Sequence, residues 1–460
     1  MALWEDCIPL VKFGVTIMDS LKIFPRLNAK TCNFDRLSLS GMETGWEIDF
    51  SKVMEDRLDL YKLTTFALNK KRPIHNWYPY LQGFSADLIE FIIKELGIRD
   101  HNRVLDPWCG VGTTNLVCQE RGIPSIGFDI SPLPVFITKT KLAGVPDPSA
   151  VNKALLKLKQ TFDKNRFQSE HSHFDIINKV IPPQTYSRLV FLKKRIRDIP
   201  DKKISDFLFL ALLTSLDPLS TLQKDGAHYR FRTEPKSKNV FGTFQQTVEY
   251  MLDVNTLFHH LRKEAESQIY IGDSRNLSMI QDGSVHFIIT SPPYLNRDNY
   301  IAQNKLELKF GDFVENYNDY RQLTFSTLRS HVEAKSNLNS FHFDIPQLSR
   351  YLKQLRDRRE LLNNSKIIDM TEGYFIDMYF SLKELSRVLI KGGKAAIVVG
   401  NSCWAGISIE VDKLLAVIGN KLKLTNNSIW VTRYKLNSSQ QISRFGKIPV
   451  RESIIIFEKR

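Results

Sequence analysis

Two short segments carry residue types and spacing that could do chemistry. The first is Asp106-Pro107-Trp108-Cys109-Gly110-Val111-Gly112-Thr113-Thr114, which follows directly on the apolar run Arg103-Val104-Leu105. Its two glycines let the backbone come close to a ligand, and the following helix offers unpaired amides. Asp129, roughly 20 residues further on at the end of the next apolar run, is placed to accept hydrogen bonds from ribose hydroxyls. Nicotinamide enzymes share that logic, but their fingerprint has a third glycine and usually no aspartate opening the turn. Here Asp106 precedes the glycines and can face a cationic amino acid moiety. The second segment, Ile288-Ile289-Thr290-Ser291-Pro292-Pro293-Tyr294, leaves another apolar run. Read alone, a G-x-G is weak evidence, and Pro-Pro after a strand is an ordinary strand exit. Read alone, Gly272-Asp273-Ser274 is only a turn.

These segments need a frame to bring them together. Seven short apolar, β-branched runs recur with helical stretches between them: Arg103-Val104-Leu105, then residues 125–129, 268–271, 285–290, 394–400, 429–433 and 453–458. That rhythm predicts an α/β fold, a Rossmann-like seven-stranded and mostly parallel sheet. The last two runs are joined by a polar connection containing Asn437, Ser438 and Ser439, with no helix evident, which predicts an antiparallel C-terminal hairpin at one edge. Two stretches break the rhythm and read as helical insertions, 135–266 and 295–370. The catalytic frame is then 61–134 with 267–460, and residues 1–60 form an extension with no legible motif.

Composition sets bounds on this frame. The chain has 460 residues, 42% of them hydrophobic, enough for a full core. Lysine and arginine number 64 against 50 acidic residues, a net charge of +14, which attracts a polyanion at long range but names no partner. There is no apolar run of membrane-spanning length and no secretory leader pattern at the start. Five scattered cysteines show no C-x-x-C pair, so neither a disulfide framework nor a thiolate zinc site is expected, and a reducing cytoplasm fits. The ten histidines, including His171-x-His173 and the Phe341-His342-Phe343-Asp344 run, complete no metal site, and no metal is expected.

The cofactor turn resembles the Asp-Pro-Phe-x-Gly-x-Gly-Thr-Thr loop of the S-adenosylmethionine-dependent DNA amino-methyltransferases, departing from it only at Trp108. Ser291-Pro292-Pro293-Tyr294 resembles the catalytic tetrapeptide of the same family. The resemblance implies S-adenosyl-L-methionine as cofactor, held by Asp106, Pro107, Cys109, Gly110, Gly112, Thr113, Thr114, Asp129 and Ile130. It further implies that Asp273 and Ser274 face the adenine amino group. Upstream, Pro73-Ile74-His75-Asn76-Trp77-Tyr78-Pro79-Tyr80 and Phe84-Ser85-Ala86 resemble the family's additional cofactor segment, which implicates Tyr78, Phe84 and Ser85. Ser85 also reads as a helix N-cap, and a plain amphipathic helix after an aromatic loop remains an alternative.

The family's chemistry is transfer of a methyl group to an exocyclic amine. Such an amine is a poor nucleophile because its lone pair is delocalised into the ring, and acceptors around the NH2 group localise it. Ser291 and the carbonyl of Pro292 would supply them, Pro293 would stiffen the backbone, and Tyr294 would stack on a flipped base. Serine at the first catalytic position resembles the N4-cytosine subgroup, with N6-adenine as the alternative. The implied substrate is double-stranded DNA, with a cognate restriction endonuclease as an implied partner in the cytoplasm of a bacterial or phage-infected cell. The motif order leaves the insertions to read sequence. Within the first, Lys224-Asp225-Gly226-Ala227-His228-Tyr229-Arg230-Phe231-Arg232 mixes cations and aromatics, so Lys224, His228, Tyr229, Arg230 and Arg232 are expected at phosphates or bases. Arg297 and Tyr300 are expected to contact nucleic acid, with Tyr300 or Asn299 bordering the base pocket. A charged, solvated loop is the plain reading of 224–232 and, more strongly, of Lys193 to Arg197. Structured RNA as substrate, or a catalytically silent DNA-binding subunit, are the competing functions.

Overall fold

The computed structural model describes residues 48–80, 82–225, 228–253, 265–336 and 345–460. Its strands, in chain order, are β1 (Met54–Asp56), β2 (Val104–Asp106), β3 (Ser125–Asp129), β4 (Leu222–Asp225), β5 (His228–Phe231), β6 (Ser267–Ile271), β7 (Val285–Thr290), β8 (Leu389–Gly400), β9 (Ser402–Trp404), β10 (Ile407–Ile409), β11 (Leu424–Leu436) and β12 (Pro449–Lys459). Eight of them form the main sheet in the order β1-β11-β12-β8-β7-β2-β3-β6. Strands β8, β7, β2, β3 and β6 pair in parallel, and β12 runs antiparallel to both β8 and β11. This is the α/β, Rossmann-like, mostly parallel sheet expected from the strand rhythm.

Neighbouring residues on the central strands point to opposite faces, and each face buries its own helices. Leu105, Ile288, Ile397, Val399, Ile455 and Phe457 pack with the helices Ile367–Val388 and Val411–Lys421. Val104, Ile289, Ala396, Val398, Ile454 and Ile456 pack with the helices Ala86–Leu96 and Thr113–Arg121. Each such side chain, buried on both sides, is worth about 1.5–3 kcal/mol relative to exposure.

Three details differ from expectation. The sheet has an eighth strand: β1 pairs in parallel with β11, Met54 opposite Ile429, and comes from the extension that showed no motif. Three residues, Met-Glu-Asp, two of them exposed, are too short and too polar to show alternation, as befits an edge. The C-terminal pair is antiparallel as expected, but β1 rather than the hairpin is the edge, and a helix at Ser439–Phe445 connects the pair. Ser438 caps that helix through a hydrogen bond accepted from the Gln441 N–H.

The helices Pro148–Lys164, Pro183–Arg197, Lys202–Thr214 and Val240–Asp253 share one apolar cluster with Trp77, Tyr78, Ile301, Leu308 and Phe310. The hairpin β4-β5 lies between the last two of them in sequence. The stretch 295–370 therefore divides: Ile301 to Leu323 joins this helical layer, whereas Ile345 to Met370 packs on the sheet with the helix Ile367–Val388.

Candidate active site

Because β2, β3, β6 and β7 are parallel, their carboxyl ends lie on one side of the sheet, and the residues leaving them converge there. They line a cavity of about 320 Å³. Its walls include Asp106, Pro107, Cys109, Gly110, Thr113, Asp129, Ile130, Asp273, Ser274, Phe84, Tyr300 and the whole of Ser291-Pro292-Pro293-Tyr294. Residues more than two hundred positions apart in sequence, Phe84 and Tyr300 among them, are thus brought to one chamber.

The glycine turn is tight for identifiable reasons. Gly112 has φ +82° and caps the helix Thr113–Arg121, and a Cβ on it would lie 2.5 Å from Thr138 Cγ2. Gly110 has φ +52° and sits under the Tyr80 ring, 3.3 Å from Cε1 to a hypothetical Cβ. The Gly110 N–H donates to Asp129 Oδ2 at 3.2 Å, the Ser131 N–H donates to Oδ1 at 2.8 Å, and Thr138 Oγ1 donates to the Gly110 carbonyl at 2.9 Å. Asp106 accepts from Thr290 Oγ1 at 2.6 Å and from the Trp108 N–H at 3.2 Å, which ties the cofactor turn to the end of β7. Burial disfavours the ionised carboxylates and pushes Asp106 and Asp129 each up to about 6. Asp273 is oriented by Arg275, whose Nη2 donates at 2.7 Å, and Arg275 in turn reaches the fully buried Asp377 at 3.2 Å. Ser274 Oγ lies 3.1 Å from Ser381 Oγ.

On the catalytic loop, the Tyr294 N–H donates to the Tyr300 hydroxyl oxygen at 3.4 Å, and the Tyr294 hydroxyl donates to Glu452 Oε1 at 3.0 Å. The ring packs on the end of β8, where a Cβ on Gly400 would come within 2.8 Å of Cδ2. Burial, with the Glu452 carboxylate beside it, pushes the Tyr294 phenol well above its ordinary value, so it stays protonated. Glu452 also accepts from Thr64 Oγ1 at 3.1 Å, from Lys435 Nζ at 2.9 Å and from Arg433 Nε. Burial alone would raise this carboxyl, but the Lys435 and Arg433 cations more than offset that and hold it below the usual range.

Four of the expected cofactor residues stand behind the wall. Gly112 shapes the turn, and Thr114 Oγ1 donates to the Ile289 carbonyl at 3.4 Å. Ser85 caps the helix Ala86–Leu96, its hydroxyl accepting from the Leu88 N–H at 3.3 Å and donating to the Leu63 carbonyl at 2.9 Å. Tyr78 points into the helical layer, 3.3 Å from Asn304 Oδ1, and it is Tyr80, two residues on, that reaches the cavity.

The expected nucleic-acid cations are corrected more sharply. Lys224 Nζ is 2.6 Å from the buried Glu307 and donates to the Tyr78 hydroxyl and Asn304. Arg232 donates to the Asp217 and Ser220 carbonyls and to the Asp217 carboxylate. Arg297, with φ +70°, donates to Asn363 Oδ1 at 2.8 Å, and Lys193 donates to Asp312 and the Phe310 carbonyl. Lys224 is thereby committed to a buried carboxylate, which costs free energy to leave unpaired, whereas Asp217 is a half-buried partner and Asn363 and Asp312 are exposed ones. The Tyr229 hydroxyl is buried, Arg230 is exposed, and the side chain of His228 lies outside the described residues, as does Phe341-His342-Phe343-Asp344. Among the described residues no His, Cys, Asp or Glu group could hold a metal ion, and no helix is long and apolar enough to cross a membrane.

Sequence reasoning missed Thr64, Thr65, Tyr80, Arg433, Lys435 and Glu452 in the wall. A signal existed: Arg433 and Lys435 alternate on one face of β11, and Glu452 stands two residues before the apolar run Ile454-Ile455-Ile456-Phe457.

Fold and cavity together define a methyltransferase of the Rossmann-like class. The profile of the DNA methylase family N6_N4_Mtase matches residues 46–138, which include the glycine turn. The chain is 28% identical to the Type II methyltransferase M.BsoBI of Geobacillus stearothermophilus, across 86% of this chain and 88% of the relative. It is 27% identical to the Type II methyltransferase M.AvaI of Nostoc sp., across 89% and 93% of the two chains. The chain is thus similar to DNA methyltransferases along most of its length, and S-adenosylmethionine is its cofactor.

Proposed function

We propose that the protein methylates the exocyclic N4 of cytosine in double-stranded DNA, as the modification component of a restriction system with a cognate endonuclease. The observation that carries this reading is that Ser291-Pro292-Pro293-Tyr294 and the Asp106 to Asp129 turn line one cavity and are joined by the Thr290 to Asp106 hydrogen bond.

The cofactor fits the residues present. Gly110 and Gly112 leave space where a side chain would intrude, Asp129 ends β3 as an acceptor for ribose hydroxyls, and Asp273 faces the cavity as an acceptor for an adenine amine. Asp106 supplies negative charge for the cationic methionine end. Bound S-adenosylmethionine supplies an electrophilic methyl group on a sulfonium. Ser291 Oγ and the carbonyl of Pro292 accept the hydrogens of the target amine and draw its lone pair out of the ring. Transfer would exchange a sulfur–carbon bond of the cofactor for the new nitrogen–carbon bond, and the surplus amine proton would pass to solvent. The Tyr294 ring, braced by Gly400 and Glu452, offers a face for the extruded base, so positioning supplies much of the rate. Residues 135–266 are the proposed target-recognition region, because they lie between the Asp106 to Asp129 turn and the Ser291 to Tyr294 loop and form a helical layer of their own beside the sheet.

Incubating the purified protein and labelled S-adenosylmethionine separately with unmethylated genomic DNA and with bulk RNA, then identifying methylated nucleosides by mass spectrometry, tests the proposal. N4-methylcytosine in DNA is expected. N6-methyladenine would correct the base, label confined to RNA would overturn the DNA substrate, and no label anywhere would make the chain a silent subunit.

A further inference from the structure

The cavity's charges are unevenly distributed: Asp298 lies in the segment after the Ser291 to Tyr294 loop, and the other charged groups fall into two sets. Three carboxylates, Asp106, Asp129 and Asp273, line the side formed by β2, β3 and β6. Among its described lining residues the only lysine or arginine side chains are Arg433 and Lys435, on β11 beside the catalytic loop. His331, also in the wall, stays neutral because burial lowers it to about 4.

Both cations meet on one carboxylate, Glu452, whose side chain is only 2% exposed. That carboxylate also receives the Tyr294 and Thr64 hydroxyls, so four donors share two oxygens and the cluster keeps a net positive charge. Arg433 reaches Glu452 through Nε, and among the described residues its Nη1 and Nη2 meet no acceptor. Lys435 Nζ has Glu452 as its one carboxylate partner, lies 5.8 Å from the centre of the Tyr294 ring, and keeps 41% of its side chain exposed. The contrast with Lys224 and Arg232, each committed to a protein carboxylate and to further protein acceptors, is direct.

We propose that Arg433 and Lys435, held in place by Glu452, bind the phosphodiester flanking the extruded nucleotide, while the cationic cofactor occupies the carboxylate end. This rests on the nucleic-acid reading above. A guanidinium with two nitrogens unclaimed and an ammonium with spare protons offer the donors that phosphate oxygens take. The arrangement orients the substrate: an anion is attracted to the β11 end and repelled from the three carboxylates, which leaves the base directed toward Ser291 and Tyr294.

The test measures DNA affinity of the full chain between 50 and 200 mM salt for wild type, R433Q, K435Q, K435R and K94Q, with KM for DNA and for S-adenosylmethionine in parallel. Each phosphate contact contributes about 0.9 to the slope of log affinity against log salt, so R433Q and K435Q should each flatten it by about 1. They should raise KM for DNA and leave KM for the cofactor unchanged, K435R should restore the wild-type slope, and K94Q, on the distant surface of the helix Ala86–Leu96, should match wild type. Unchanged slopes in both glutamine variants would overturn the proposal alone, as would an equal rise in both KM values. A wild-type protein that binds no DNA would overturn the DNA reading and this proposal with it.

Discussion

Two cationic regions of this protein look alike in sequence and differ in what surrounds them. Lys224 to Arg232, a hairpin in the helical layer, mixes basic and aromatic residues in one short stretch, as a nucleic-acid contact would. Arg433 and Lys435 stand in an unremarked strand. In three dimensions the hairpin's Lys224 and Arg232 are tied to Glu307 and Asp217, whereas the strand's pair lines the cavity with donors to spare. Local composition therefore misleads about charge, because what a cation can bind depends on how many of its donors protein acceptors have already taken.

The largest effect should come from the loop that both regions flank. Tyr294→Ala is expected to cut methyl transfer by about 10²–10³-fold, the scale seen for loss of one transition-state contact, with cofactor affinity nearly unchanged. Single-turnover kinetics and calorimetry separate the two, and equal loss in both would mean that the ring shapes the cofactor site instead.

If Lys224 serves the fold, Lys224→Met should cost about 3 kcal/mol by leaving the buried Glu307 unpaired, and DNA affinity measured on the remaining folded protein should hold. Denaturant unfolding reads the first, titration the second. A variant of native stability with weakened DNA binding would return the hairpin to the nucleic-acid interface and break the comparison.

The carboxylate end should show itself in pH dependence. Asp106 and Asp129 titrate near 6, so both are mainly ionised at pH 7 and mainly protonated at pH 5. Affinity for a cationic cofactor should fall as pH drops through 6, by about tenfold for each group that loses its charge. The stability sign is opposite. Carboxyls raised in the folded state bind more protons there than in the unfolded chain, so their contribution favours the cofactor-free protein below about pH 4 and is lost as pH rises through 6. Calorimetry and thermal unfolding across pH 4–8 check both directions, and a flat affinity profile would remove these two carboxylates from cofactor binding.

The smallest effect is expected at Arg230. It is exposed on β5, so Arg230→Gln should change stability by no more than about 0.5 kcal/mol. Any change in the methylated sequence context in that variant would show that the hairpin reads DNA through its outer face while its inner face packs.

The legible part of the site was local. Asp106, Gly110, Asp129, Ser291 and Tyr294 each sit where one strand runs into one turn, and the types needed there follow from steric space and from the end of a strand. Glu452, Arg433 and Thr64 could not be read that way. They meet only because β11 and β12 pair with Arg433 opposite Glu452, and because β1 carries the segment after it to the same edge. The same limit holds for Tyr78 and Tyr80, two identical residues in one motif of which only Tyr80 lines the cavity while Tyr78 is buried in the helical layer.

By itself the amino-acid sequence determined seven of the sheet's eight strands, their mostly parallel pairing, and the segments 106–114 and 291–294 that leave two of them, because apolar periodicity and backbone freedom are properties of neighbouring residues. Tertiary structure alone decided which charges face the cavity, which are spent inside the protein, and how far burial moves the carboxylates. Those outcomes depend on strand register and on distance from water, and neither is written in any single segment.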